Sequence, residues 1–394
     1  MKTRIIVADT AKLTPPLWGG PIRIFNLYKN LSKRFDITYV GINCRRDAKK
    51  YEKRIAENFK EIEIPVTKLY YPVKWIELYL FKHLTFDLFT YLLMKLDINF
   101  KRELNKESDI IIASHVWSAP CFKKKKNQIM VYDAHNCEYL LIKKILKNIL
   151  FKNLISYWVK IVEKNACKKS DVILACSEED KSHFIKLYGI APEKIYIIPN
   201  GANIKPLPNQ KDQKKAKKEL SIKKAIFFVG AFYNPNIEAV NFIIKNVALK
   251  LKKYDFLIVG SVCNAFLEKD LPENVKLYGQ VSNKRLDKLM IASDIAINPI
   301  FNGSGINIKL LDYFSNGLPV ITTKFGARGI EAEHGKDFIV SRPEDFTNNI
   351  KMLFNNKKLR EKLKKNGRKI AKKTYDWKII SKNLEEILKK VKNE

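Results

Sequence analysis

Short runs of β-branched and apolar residues alternate along the chain with longer stretches whose apolar positions recur every three or four residues. The runs predict strands and the stretches predict helices. Their alternation is the signature of βαβ units built on a parallel sheet. In the first half the predicted strands are 4–8, 37–41, 109–113, 129–133, 172–176 and 196–199. In the second half they are 225–230, 256–260, 275–278, 295–299, 319–322 and 337–340. The pattern breaks once. Pro199-Asn200-Gly201 is a turn signal, residues 205–224 are lysine-rich with Pro206 and Pro208, and a new strand opens at Ala225. The reading is α/β, with two doubly wound domains meeting near residue 201. Ligands of such sheets bind beyond the carboxyl ends of the strands, so the chemistry is sought in the loops that follow them.

Composition adds little to that division. The chain of 394 residues is long enough for two domains, and 46% apolar content is enough to fill their cores. The formal charge of +33 favours polyanionic partners such as phosphorylated substrates or anionic lipid. Most of the excess is lysine spread along the whole chain, and no nucleic-acid-binding module is recognisable, so nucleic acid is not an expected partner. The six cysteines form no C-x-x-C pair and no zinc-like spacing with histidine; Cys167 and Cys176 read as core residues. A reducing, cytoplasmic setting fits them. Met1-Lys2-Thr3-Arg4 leads directly into a strand rather than into a signal peptide. Residues 75–100 are apolar and aromatic, but Glu77, Lys82, Asp87, Lys95 and Asp97 interrupt them. A helix packed on its own domain is the expectation there, with a membrane-surface helix as the alternative.

The richest loop is Asn302-Gly303-Ser304-Gly305-Ile306-Asn307-Ile308-Lys309-Leu310-Leu311-Asp312, which follows the strand at 295–299 and opens a helix. Glycines admit an anion close to the backbone, and free N–H groups at a helix start favour phosphate. Lys309 lies about one turn into the helix, and Asp312 shares its face, suited to ribose hydroxyls. Read alone, the same pair also fits a surface ion pair.

This loop, with Gly317-Leu318-Pro319-Val320 and Gly326-Ala327-Arg328-Gly329 after it, resembles the donor-binding region of family 4 glycosyltransferases. Trp18-Gly19-Gly20-Pro21 is similar to the family's acceptor-side glycine loop, and Asp133-Ala134-His135-Asn136 to its mid-domain histidine motif. Ile198-Pro199-Asn200-Gly201 resembles the end of the family's first domain, and Val229-Gly230 with Asn234-Pro235-Asn236 the opening of the second. The resemblance implies GT-B architecture, with two Rossmann-like domains facing a central cleft. Residues 1–201 would form the acceptor side, joined by a closing helix at 376–394, and residues 202–375 the nucleotide-sugar side.

It further implies transfer of a sugar from a UDP- or GDP-linked donor to a glycan or lipid-linked acceptor, with retention of configuration and no cofactor or bound metal. Lys309 would neutralise the diphosphate. Gly303, Ser304, Gly305, Ile306, Asn307 and Gly230 would line the donor, Asp312 would hold the ribose, and Arg328 would be a second cation. Gly19 and Gly20 would approach the diphosphate or acceptor. His135 would lie beside the transferred sugar; read alone it also fits a helix cap. Work at the inner face of an anionic membrane would follow from the charge and the aromatic segment.

There are departures from the family pattern. Ser304 and Asp312 stand where the family often carries two glutamates, and Ala231-Phe232-Tyr233 where it often carries Arg and Lys. The missing glutamate keeps a catalytically degenerate sugar-nucleotide-binding protein as an alternative; a GT-B epimerase is another on architecture, with the sparse acidic residues of these loops counting against it. Glu163, among lysines, reads as a solvated-face residue, and Glu178, after Ser177, as part of a helix cap.

Overall fold

A computed structural model describes residues 2–16, 19–80, 88–146, 151–303 and 307–393. The chain divides into two compact units, Met1–Pro199 with Ile380–Glu394, and Asn200–Ile379.

In the first unit the elements run β1 (Arg4–Ala8), α1 (Gly19–Leu31), β2 (Asp36–Asn43), β3 (Tyr51–Ala56), β4 (Phe59–Pro65), α2 (Tyr70–Leu80), α3 (Leu88–Leu96) and α4 (Ile98–Leu104). They continue with β5 (Ile110–Ala113), β6 (Ile129–Asp133), α5 (Glu138–Ile145), α6 (Lys152–Lys169), β7 (Val172–Ala175), α7 (Glu178–Tyr188) and β8 (Ile195–Ile197). The sheet order is β3-β4-β2-β1-β5-β6-β7-β8, parallel throughout except for β3, which pairs antiparallel with β4. Central strands such as Ile-Ile-Ile-Ala at 110–113 are buried at every position, as helix-covered parallel strands must be. The edge strand β3 is charged and exposed, which blunts edge-to-edge pairing.

The β3–β4 hairpin is absent from the sequence reading. Tyr51–Ala56 has no apolar face, and in β4 Glu61 and Glu63 are buried together with Ile62 and Ile64, so no polar–apolar alternation marks the strand. Residues 75–100 divide among α2, α3 and α4, with 81–87 outside the described residues. No helix among the described residues is long and apolar enough to cross a membrane.

In the second unit α8 (Gln210–Glu219) precedes β9 (Ala225–Val229), α9 (Asn234–Phe242), β10 (Asp255–Val259), β11 (Val275–Gly279), α10 (Asn283–Ala292), β12 (Ile295–Asn298) and α11 (Ile308–Ser315). Then come β13 (Val320–Thr322), β14 (Ile339–Val340), α12 (Phe346–Asn355) and α13 (Lys357–Thr374), followed by α14 (Trp377–Asn393), whose residues from Ile380 onward belong to the first unit. The sheet is β11-β10-β9-β12-β13-β14, all parallel. Trp377, at the start of α14, is buried, and further along Ser381 Oγ donates to the Leu27 carbonyl.

Each sheet has a switch point where successive connections leave in opposite directions: between β1 and β5 in the first, between β9 and β12 in the second. Such points open a crevice at the carboxyl edge. The glycine loop after β1 and the glycine loop after β12 lie at these two positions.

Candidate functional site

In the first unit the loops after β1, β5 and β6 converge on Asp133, which is fully buried. Its Oδ1 accepts from Arg23 Nε at 3.1 Å and Nη2 at 2.7 Å. Its Oδ2 accepts from the Tyr28 hydroxyl at 3.1 Å and from Ser114 Oγ at 3.0 Å. Arg23 and Tyr28 both lie on the buried stripe of α1, so this network docks the helix that follows the glycine loop. Burial alone would raise the Asp133 pKa; the Arg23 guanidinium overcomes it and holds the carboxyl below its usual range.

Ser114 Oγ also lies 3.2 Å from Nε2 of His135. The ionised Asp133 can only accept, so the Ser114 hydrogen goes to it, and Ser114 Oγ takes the Nε2–H of His135. The His135 lone pair is then at Nδ1. Burial pushes this imidazole down to about 3, with the charge on His115 acting in the same direction, so it is neutral at physiological pH. Its Nδ1 faces the glycine loop: a Cβ on Gly20 would stand 3.3 Å from it. Gly19 and Gly20 form the first residues of α1, and the structure brings Gly20 and His135 together.

A second histidine lies beside the first. His115, after β5, places its ring 5.6 Å from His135, edge to face, and its Nε2 3.2 Å from Glu138 Oε1 on α5. Burial alone would lower its pKa, but Glu138 carries it up to about 9, so a cationic and a neutral imidazole sit side by side. Asp9, at the end of β1, has its carboxyl raised to about 6 by burial, with His115 opposing.

Glu163 departs from the solvated-face reading. It is fully buried, and its oxygens accept from the backbone N–H of Glu138 at 2.7 Å and of Tyr139 at 3.0 Å, and from the Tyr188 hydroxyl at 2.5 Å. It thus caps the start of α5 from another helix and fixes Glu138. The lysines at 160 and 164 hid this, yet Glu163 falls on the stripe of Val159, Val162, Ala166 and Cys167, which is the available signal. Ser177 Oγ caps α7 by accepting from the Asp180 N–H at 3.1 Å, with Glu178 in the first turn. Cys167 and Cys176 are buried as expected.

In the second unit Gly230 directly follows β9. A Cβ there would stand 2.9 Å from Asn236 Cγ, so the glycine lets Asn236 close onto the strand end. The Asn236 amide nitrogen donates to the Ala231 carbonyl at 3.0 Å, which turns its oxygen outward to accept from Lys309 Nζ at 2.6 Å. The same ammonium lies 4.6 Å from the centre of the Phe228 ring. No ion pair joins Lys309 to Asp312 among the described residues. Burial without a counter-charge pushes Lys309 down to about 7. Asp312, one turn along α11, is raised to about 7, again by burial, with Lys205 opposing.

Gly303 holds φ +127°, a conformation only glycine adopts readily, and packs against Pro235. Asn307 donates to the Gly326 carbonyl at 3.1 Å, tying the start of α11 to the loop after β13. Arg328 stacks over Phe325 at 4.3 Å. Ser304, Gly305 and Ile306 lie outside the described residues. Arg23, Ser114 and Asn236 are additions to the residues that sequence gave a role, and Glu163 has a role other than the one expected.

Comparison with known proteins agrees with this layout. Residues 19–205 match Glycosyltransferase Family 4, and residues 223–356 match Glycosyl transferases group 1. An uncharacterized glycosyltransferase of Methanocaldococcus jannaschii is 23% identical, with 96% of each chain covered. Among solved structures, sucrose-phosphate synthase of Thermosynechococcus elongatus superposes with a TM-score of 0.79 at 16% identity, with 99% of each chain covered. The Anabaena protein HepE, solved in complex with UDP and glucose, gives 0.66 at 14% identity, over 98% of this chain and 99% of its own. These structures share the GT-B fold, whose two Rossmann-like domains correspond to the two parallel sheets here. The chain belongs to the group 1, family 4 glycosyltransferases, and it is a glycosyltransferase of the GT-B fold.

Proposed function

We propose that this enzyme transfers a hexosyl group from a UDP- or GDP-linked donor to a glycan or lipid-linked acceptor, with retention at the anomeric carbon and without a metal. The observation that carries the reading is Lys309: a desolvated ammonium held by one neutral oxygen, beside a glycine turn at a sheet switch point. Such a group gains most from an anion placed against it, and a nucleoside diphosphate supplies one. The UDP in the HepE structure supports that donor class.

In the proposed step the bond between the anomeric carbon and the diphosphate oxygen breaks, and a bond to the acceptor oxygen forms on the same face. The acceptor proton leaves with the diphosphate. Lys309 and the N–H groups near Gly303 take the charge that grows on phosphate, while Gly230 and Asn307 shape the donor wall and Asp312 holds the ribose. Arg328 is a second cation at the rim. Gly19, Gly20 and His135 serve the acceptor side, in the first unit. Neutral His135 offers its Nδ1 lone pair to a sugar hydroxyl and its dipole to the positive charge at the anomeric carbon. The exposed aromatics Trp75 and Tyr79 support work at the inner, anionic face of a membrane.

The test is nucleotide release from a panel of sugar nucleotides with host lipid extract as acceptor, with and without EDTA, beside Lys309→Ala. Acceptor-dependent diphosphate release that survives EDTA and fails in the variant supports the reading, and the anomeric proton coupling in the product reads retention. Neither release nor binding across the panel would sink it.

A further inference from the structure

The chain leaving β1 is held at Ala11, Leu13 and Thr14. It lies against β2 and β4, and three positions of those strands receive it. Tyr39 and Glu61 are register partners in the parallel β2–β4 pair, so their side chains share a face. The Tyr39 hydroxyl donates to the Ala11 carbonyl at 2.5 Å. Two residues further along β2 stands Gly41, where a Cβ would come within 2.2 Å of the Ala11 oxygen; only glycine admits the segment this close. Glu61 then takes the next two residues. Its Oε1 accepts from the Leu13 N–H at 2.5 Å and the Thr14 N–H at 3.1 Å, and its Oε2 accepts from the Thr14 hydroxyl at 2.5 Å.

Glu61 is fully buried, on a strand whose neighbours Ile62 and Ile64 are core residues. A buried carboxylate is costly unless donors surround it, and these three do so. The far side of the same loop is held in the same way: α1 is docked through Arg23 onto the buried Asp133. Leu13 and Thr14 are thus tied to one buried carboxylate and α1 to another, and Gly20, in the first turn of α1, stands against His135.

We propose that Glu61 is a positioning residue for glycosyl transfer, fixing through Leu13 and Thr14 the chain that precedes Gly19 and Gly20 at the start of α1. The carboxylate touches no substrate; it acts through the loop. The assignment rests on the transfer reading above. Charge-assisted bonds of this kind are shorter and stronger than neutral ones, so a neutral or shortened partner loosens the loop without emptying the core.

The experiment compares wild type with Glu61→Gln, Thr14→Val and Thr14→Ser. Amide hydrogen exchange over residues 9–20 is read together with kcat and KM for donor and acceptor, and with thermal midpoints. The expected result is faster exchange confined to 9–20 in Glu61→Gln and Thr14→Val. With it comes a drop of roughly tenfold in kcat/KM for Glu61→Gln, of the size small misplacement of a loop produces. Thr14→Ser, which keeps the hydroxyl, is expected to show wild-type exchange and wild-type kcat/KM. Exchange unchanged, or exchange raised with kcat/KM held at wild-type values, would overturn the proposal. A purely structural role would lower the thermal midpoint without changing the KM-to-kcat balance, and would also overturn it. Activity of the wild type stands as a separate control: its absence counts against the transfer reading, whereas a wild type that turns over beside equally active variants counts against Glu61 alone.

Discussion

The ammonium of Lys309 lies 2.6 Å from the side-chain oxygen of Asn236, with the Phe228 ring 4.6 Å away. The cation is solvated by a dipole and a ring, and on the proposed reading the donor diphosphate completes it. Burial lowers Lys309 from its ordinary 10.5 to about 7 in the free protein, and a bound diphosphate favours the charged form. Above neutrality, donor binding must therefore take up a proton, and affinity is expected to fall by up to about tenfold per pH unit. Calorimetry near pH 8 in buffers of different ionisation enthalpy reads this directly; a binding enthalpy independent of buffer would contradict it. The sign for stability follows from the same shift. Charging Lys309 penalises the folded state fully below about 7, and the penalty fades as pH rises towards 10.5. Lys309→Met is expected to raise the thermal midpoint at pH 6 and to lose that advantage by pH 10, while abolishing donor binding at both.

Gly20 and His135 make a steric prediction. A Cβ at position 20 would stand 3.3 Å from Nδ1 and 3.4 Å from Cε1 of the imidazole, closer than comfortable contact. His135 is anchored on its other side by Ser114 at 3.2 Å, so it can retreat only by lengthening that bond. Gly20→Ala is expected to lower kcat by roughly tenfold to a hundredfold through displacement of the ring, with little change in thermal midpoint. Kinetics of the variant on the identified donor is the check. A variant as fast as wild type would mean that the ring position does not govern transfer.

Glu163 offers a prediction about pH. Burial raises its carboxyl from the ordinary 4.5 to about 7, even though it caps α5. Its neutral form is thus favoured by folding. That contribution is fully present below 4.5 and is lost as pH rises through about 7. In Glu163→Gln an amide nitrogen meets one of the two backbone N–H groups, at a cost of about 1–3 kcal/mol. The stability deficit of the variant is therefore expected to be larger near pH 5 than near pH 8. Denaturant titrations at the two pH values measure the gap; a gap that widened with pH would reverse the argument.

What could be read in advance divides along physical lines. The buried parallel strands carry their own signature, and all twelve predicted runs correspond to strands here, from β1 at Arg4–Ala8 to β14 at Ile339–Val340. The β3–β4 hairpin escaped because its core-facing positions include Glu61 and Glu63, whose burial depends on donors supplied by distant segments. Glu163 was misjudged for the same reason: its partners Tyr139 and Tyr188 lie on other helices, and only the folded chain shows them. Lys309 and His135 were visible as residue types in suggestive loops. Their protonation tendencies were not, since these come from burial and, for His135, also from the charges on Asp133, His115 and Arg23. A charge is read from sequence easily; whether it is solvated is a tertiary property.

The outer face of the first unit carries the last prediction. On α2, Trp75 stacks on Tyr79 with ring centroids 5.8 Å apart, and both side chains are about two-thirds exposed, at 68% and 67%. Leu69, Leu96 and Ile98 nearby in sequence are exposed as well. α2 packs on α3, and α3 packs on α6 through Tyr91 and Trp158, whose rings lie 5.3 Å apart. The outward stripe of α6 is again apolar, with Phe151, Leu154, Tyr157 and Ile161 exposed beside Lys152, Lys160 and Lys164. A helix apolar on both faces has a core on one side and needs a partner on the other. Amphipathic aromatics flanked by lysine suit the headgroup region of an anionic bilayer, where each lysine contributes about 1 kcal/mol. The protein is expected to sediment with vesicles containing phosphatidylglycerol, to release at about 0.5 M salt through screening, and to ignore purely zwitterionic vesicles. Replacing both Trp75 and Tyr79 with serine is expected to weaken vesicle binding by roughly tenfold or more, while leaving turnover of a water-soluble acceptor unchanged. Binding that survives both substitutions would assign the membrane contact to another face, and absence of binding to anionic vesicles at low salt would remove the membrane from the proposal.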